Sequence, residues 1–369
     1  MFICANSSIL VSPSTEKQND LINPLVLVMR TQLRQLIEEV ARLPKQQQRK
    51  IGSLVAACVA DAAARPMHWV YDVSALNQFI SKDPGHPEFW PQSKSPFYSL
   101  ATGENSCYWD EAMAVMTSLK NKKSFVFEDI CNEFVHQFGP SSVYNMDKRQ
   151  EYMQRRAHGM ELTALEGKWL HGGMIKFLEN FSRGEVTGDP HVKETDGFCA
   201  SLPLVAMFAG DRYLLDMVTQ VTQTQSTWPV AVNHALAAAR IVEAFIHQDD
   251  DPLESKYENV SNAPEIVKEI NYIRANEKVN HVDAVGKIFG RPCYNPGSWM
   301  GAIHAVITSD SFEDAVRKTI VAGGCNCSRS FFIGAMMGAK HGMSCVPEDW
   351  LEKTNNVENV IRMAVDITS

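Results

Sequence analysis

Apolar residues fall at three- and four-residue steps along most of this 369-residue chain. No stretch sustains an alternation of apolar and polar residues between turn signals. The first period belongs to a helix with one buried face and the second to a half-buried strand. The pattern therefore predicts a core made by packing helix on helix. Helices are expected over about 31–49, 52–65, 111–119, 126–138, 150–181, 203–221, 230–247, 264–274, 281–288, 298–308, 312–320, 328–341 and 356–366. Segments 52–65 and 230–247 are dominated by Ala and other small residues, and Gly334, Gly338 and Gly342 recur at four-residue spacing. Such residues let a neighbouring backbone come close. There is no G-x-G-x-x-G, no G-x-x-x-x-G-K-[ST] phosphate loop and no repeat of fixed length. The fold class read from pattern is all-α, with orthogonally packed helices.

Residues 1–30 carry Ser, Pro, Asn and Asp without a steady period and are expected to form a disordered leader. Residues 31–49 form an N-terminal helix in which Leu33, Leu36, Ile37 and Val40 share a face, and Pro44 bends or ends it. Residues 50–369 are expected to form one large domain. Within it, residues 80–107 are rich in Pro, Gly, Ser and Asp. A connection of that length in a compact domain is uncommon and often functional.

Net charge is −8, from 35 basic and 43 acidic residues. That balance argues against a nucleic-acid partner, because phosphate binding needs clustered Lys and Arg; a small nucleotide-like ligand needs only a few local donors. Nine cysteines without a scaffold-like spacing suggest reduced thiols and a cytoplasmic protein. The opening MFICANSSIL lacks the basic start of a signal peptide. The apolar runs fall short of the roughly 20 residues that span a bilayer, so no membrane partner is expected.

Three segments carry chemistry. Ala60-Asp61-Ala62-Ala63-Ala64-Arg65-Pro66-Met67-His68-Trp69 sets an acid inside an apolar helix and a histidine just past its end. The carboxylate needs a hydrogen bond, a cation or water. Asp61 and His68 thus read either as a packing acid with a surface histidine or as the lining of a site. Cys107-Tyr108-Trp109-Asp110-Glu111-Ala112-Met113 puts two acids at a helix start, to complement the dipole or to hold a cation. Gly323-Gly324-Cys325-Asn326-Cys327-Ser328-Arg329 is a tight turn into an apolar helix. It is either an ordinary capped start or a ring of N–H groups and side chains around a ligand or ion.

Taken together and in order, these segments resemble those of the ADP-ribosylglycohydrolase family. Its members carry G-D-A-x-G-x-P-x-E near the N-terminus, T-D-D-T at a helix start, and G-G-D-x-D-[ST] before a Gly-spaced helix. The counterparts here are ADAAARPMHW, YWDEAM and GGCNCSRSFFIGAMMGAKHG, and PGSWMGAIHAVITSDSFEDAVRKTIVAGG looks like the family's last helix pair. The resemblance covers about residues 50–365. The wording ADAA…P-x-HW-x-Y and GGCNCSR is closer to the J-crystallin and selenoprotein J branch than to the hydrolases.

This resemblance implies an ADP-ribosylglycohydrolase-like orthogonal helical domain. In the family's hydrolases the second and third motifs hold two magnesium ions beside the ribose of ADP-ribose. Carried over, Asp110 and Ser328 stand at metal positions, and Asp61, His68 and Glu111 would take catalytic roles. Asp196, Gly197, Gly323, Gly324 and Asn326 would face a ligand. Asp196-Gly197, leading to Pro203, resembles the family's substrate loop; Thr224-Gln225 resembles its Thr-His segment without the His. Cys325 and Cys327 replace both Asp ligands of the third motif, Trp109 replaces an Asp, Tyr108 and Glu111 replace Thr, and His68 replaces a Glu. Magnesium prefers hard oxygen donors and a thiol is a poor ligand for it, so an eroded dimagnesium site is expected. The expected function is binding of an ADP-ribose-like ligand or a structural, crystallin-like role. The alternative is an active hydrolase of ADP-ribosyl or related N/O-glycosidic bonds, acting on an ADP-ribosylated substrate. Asp61, His68, Asp110, Glu111, Cys325, Cys327 and Ser328 are expected to converge on one pocket. There Cys325, Cys327, His68 and Asp110 would suit zinc better than magnesium.

Overall fold

The computed structural model describes residues 24–247 and 264–369, apart from residues 84 and 145. Residues 1–23 of the expected leader lie outside the described residues. The helices are α1 (Pro24–Ala41), α2 (Lys45–Ala64), α3 (Val73–Ile80), α4 (Cys107–Lys122), α5 (Phe127–Phe138), α6 (Met146–Ala157), α7 (Gly172–Phe181), α8 (Asp196–Phe208), α9 (Leu214–Gln225), α10 (Pro229–Ile246), α11 (Pro264–Ala275), α12 (His281–Asp283), α13 (Gly297–Ile307), α14 (Phe312–Val321), α15 (Asn326–His341), α16 (Glu348–Lys353) and α17 (Val357–Thr368). A π-helical turn, Ala284–Phe289, continues α12. Among the described residues the sheet consists of two dipeptides, β1 (Tyr98–Ser99) and β2 (Leu165–Glu166), paired in parallel. The all-α expectation holds.

Several boundaries differ from the periodic reading. Pro44 sits at the N-cap of α2, where its fixed φ and missing N–H cost nothing, so residues 45–49 belong to α2 rather than to the N-terminal helix. The helix expected over 150–181 is two helices, because Gly159 and Gly167 take φ of +66° and +113° between them and Leu165 leaves to pair with Tyr98. The one expected over 203–221 begins at Asp196, carries Pro203 inside α8, and breaks at Gly210. Short α3 and α16 have too few turns to show a period.

The centre of the molecule is the pair α2 and α15. Every residue from Ile51 to Ala64 is buried, as is every residue from Asn326 to Ala339. Their contact is backbone on backbone: a methyl on Gly338 would lie 2.0 Å from the Gly52 carbonyl oxygen, and one on Gly334 would lie 2.3 Å from that of Ala56. Around this pair lie α4, α8, α10, α13, α14 and α17. Helix α10 is long and apolar enough by composition to cross a bilayer, yet it packs on α8, α9 and α15 in the interior.

Two devices bring distant segments to one place. Gly323 and Gly324 have φ of +73° and +69°, where side chains are strained. The turn they make lets Trp69 N–H donate to the Gly324 carbonyl, and Gly324 N–H to that of Val70, each at 2.8 Å. Buried Arg65 donates to the carbonyls of Ala101 (2.6 Å) and Glu104 (3.1 Å), pinning the 80–107 connection against the end of α2.

Candidate functional site

Asp61 is fully buried on α2, and its carboxylate serves the start of α4. It accepts from Ser106 Oγ at 2.5 Å, Ser106 N–H at 2.8 Å and Asn105 Nδ2 at 3.0 Å. Ser106 is the N-cap of α4, its hydroxyl accepting from Tyr108 N–H. Burial raises the Asp61 pKa against these donors.

His68 is buried as well, between Tyr98 Oη, 2.8 Å from Nδ1, and Cys325 Sγ, 3.3 Å from Nε2. Its ring stacks on Trp69 at 4.1 Å. Cys325 is the meeting point of the first, second and third segments: Tyr108 Oη and Ser328 Oγ each lie 3.2 Å from its sulfur. Burial would raise this thiol, but the Cys293 thiol, the His68 ring and the Ser328 hydroxyl hold it well below the usual range. Burial in turn lowers the His68 pKa.

Cys327 points elsewhere, with Sγ 3.9 Å from the Asp61 carbonyl oxygen. Asp110 turns its carboxylate to Tyr144 Oη (2.5 Å) and Lys168 Nζ (2.8 Å). Of the four side chains expected to suit zinc, only His68 and Cys325 are in contact. Gly323 and Gly324 make the turn, and Asn326 Nδ2 donates to the Met67 carbonyl at 3.1 Å while its Oδ1 is buried without a hydrogen-bond partner.

Glu111 lies one turn further along α4 and belongs to a neighbouring group. Cys107 Sγ is 3.3 Å from its Oε1, His171 Nδ1 is 3.5 Å from the same oxygen, and Gln225 Nε2 donates to Oε2 at 3.2 Å. Asp196 accepts from His171 Nδ1 in a short contact. Burial and the Asp196 charge push Glu111 up to about 7. Burial lowers His171, but its interactions with Cys107 and with the Asp196 carboxylate outweigh it and leave that ring well above its usual value. The Tyr108 ring, 4.3 Å from that of His171, joins this group to the Cys325 junction.

Asp196 and Gly197 begin α8, and Gly197 lines a narrow cleft with Thr195, Thr222, Ser226, His234, Asn295, Ser298, Trp299 and Ser328. The cleft encloses ≈ 20 Å³, room for a water or two. Thr195 Oγ1, Thr222 Oγ1, Asn295 Oδ1 and Trp299 Nε1 are buried there without a hydrogen-bond partner, while Ser298 and Ser328 bond each other at 2.7 Å. Cys107 opens the second segment but is given no role there, and Tyr98, His171 and Cys293 stand outside the three segments. Only Cys107 carried a signal, its four-residue spacing from Glu111 on one helix face.

The family model described as ADP-ribosylglycohydrolase matches residues 42–369. Crystallin J1A of Tripedalia cystophora is 27% identical over 318 residues, which is 86% of this chain and 95% of that protein. Crystallin J1B of the same organism is 27% identical over 317 residues, 85% of this chain and 94% of its own. A solved structure titled ADP-ribosylglycohydrolase-related protein complex superposes with a TM-score of 0.59, covering 88% of this chain and 99% of that one at 16% identity. At that identity the likeness speaks for the fold alone.

Proposed function

The chain belongs to the ADP-ribosylglycohydrolase family, and from that premise we propose that it is a member without dimagnesium hydrolase chemistry, serving a structural, crystallin-like role. One observation carries this reading: where the second and third motifs meet, Tyr108, His68, Cys325 and Ser328 are buried and satisfy one another. Their donors are a phenol, an imidazole, a thiol and a hydroxyl. The Asp61 carboxylate is taken by Asn105 and Ser106, and that of Asp110 by Tyr144 and Lys168. Magnesium needs near-octahedral oxygen donors and keeps several waters, so these residues do not fit it. The two J crystallins, matched along almost their whole length, support a structural role.

A second reading is favoured by the cleft. Unpartnered polar atoms of Thr222, Asn295 and Trp299 would suit the hydroxyls of an ADP-ribose-like molecule, provided the cleft widens. Calorimetric titration with ADP-ribose, with and without magnesium, decides between them. The structural role expects no heat of binding in either case. Magnesium-independent binding favours the ligand reading, and magnesium-dependent binding with release of ADP-ribose from a modified protein overturns both.

A further inference from the structure

The group around Glu111 has the make-up of a metal site. Cys107 and Glu111 project from one face of α4, His171 is the N-cap of α7, and Asp196 opens α8. One ligand atom from each of Cys107, Glu111 and His171 lies within 4.8 Å of the others, and all three side chains are buried. Zinc bonds of about 2.0–2.3 Å in a tetrahedron set neighbouring donors roughly 3.3–3.6 Å apart. The separations of 3.3 Å from Cys107 Sγ to Glu111 Oε1, and of 3.5 Å from that oxygen to His171 Nδ1, fall in this range.

A second observation is independent of spacing. Asp196 Oδ2 and Gln225 Oε1 are buried at this group and have no hydrogen-bond partner. Glu111 accepts from the Cys107 thiol and Gln225 Nε2, and Asp196 Oδ1 from His171, so no donor is left for these two oxygens, and buried acceptors without donors are costly. A cation held beside Asp196 would offset that cost.

We propose that Cys107, Glu111 and His171, with Asp196 in the fourth position, bind one divalent ion of the zinc class. The mixture of one sulfur, one nitrogen and carboxylate oxygens selects a borderline-soft metal over magnesium. Of the four, only Glu111 stands at a position of the family's metal motif, and there the family carries a Thr. As the ion enters, the thiol proton of Cys107 and the proton between His171 and Asp196 leave to the buffer, so that sulfur and nitrogen lone pairs face the metal. The site does not depend on whether the chain binds ADP-ribose.

The test is titration of the full-length, chelator-treated protein with cobalt(II), followed by zinc. Cobalt is expected to give a thiolate-to-metal charge-transfer band and the intense ligand-field bands of a tetrahedral site, saturating at one ion per chain, and zinc is expected to bleach both. Cys107→Ser removes the charge-transfer band, and Glu111→Gln weakens cobalt binding by about tenfold or more. Cys325→Ser and Cys327→Ser leave the spectrum intact. No charge-transfer band in the unmodified protein overturns the proposal, as does a band that survives Cys107→Ser and vanishes in Cys325→Ser. If circular dichroism shows Cys107→Ser unfolded, unchanged cobalt binding in both Glu111→Gln and His171→Gln overturns it equally.

Discussion

Asp61 accepts three hydrogen bonds from Asn105 and Ser106 in the interior, and through Ser106 it fixes where α4 begins. Asp61→Ala leaves those donors buried without an acceptor, which costs about 1–3 kcal/mol for each unsatisfied group. A loss of about 3 kcal/mol or more is expected in urea unfolding, with Asp61→Asn losing less; a loss under about 1 kcal/mol would show that the carboxylate does not hold the junction. At this scale the sequence was informative about need and silent about partners. An acid within VADAAA had to be satisfied, and a His after Pro66 was a candidate for a site. Neither told that His68 would meet Tyr98, 30 positions on, or Cys325, 257 positions away. Cys107 was given no role and His171 escaped notice for the same reason, since the tertiary fold alone brings α4 and α7 together.

Among the elements, α2 and α15 are the most tightly constrained. Gly338→Ala would force a methyl into the Gly52 carbonyl and push the two helices apart. Overpacking of a dense core costs about 1–3 kcal/mol and occasionally more; backbone has less room to yield than a side chain, so about 3 kcal/mol or more is expected. A melting temperature unchanged in Gly338→Ala would contradict the close packing. The glycine spacing was visible in the sequence because helical periodicity and small residues act locally. The splitting of 150–181 was not, because it depends on Leu165 pairing with Tyr98 far upstream.

A second element-scale expectation concerns α12 and α13. His281 Nδ1 is 3.1 Å from His304 Nδ1, and His304 Nε2 is 3.1 Å from the Asn276 carbonyl oxygen, so His304 donates through Nε2 and accepts through Nδ1. Burial first, then Arg329, His304 and Lys318, keep His281 well below the ordinary imidazole pKa of 6.5. The folded ring is neutral where the unfolded one takes a proton. By linkage, this contribution to stability is complete above pH 6.5 and is lost as pH falls through that value toward the folded pKa. His281→Asn should flatten the fall in stability between about pH 6.5 and 5. An equally steep fall in the variant would assign that pH dependence to other groups.

Across the whole molecule, the fold and the donor set have separate determinants. The fold rests on helix-on-helix packing that a solved structure shares at 16% identity. Its class was legible because helical periodicity runs through the chain. The loss of carboxylates from the third motif was equally legible, as Cys325 and Cys327. That the junction would close on itself was not, since composition does not say where Tyr108 and Asp110 point. On our reading the site is no longer one for hard cations. Manganese(II) shares magnesium's preference for oxygen donors and has a solution paramagnetic-resonance signal that disappears on binding. With the protein in excess, that signal should remain at the intensity of free ion, with or without magnesium. Loss of most of the signal, restored by magnesium and abolished by Asp110→Ala, would show a working magnesium site and contradict the account.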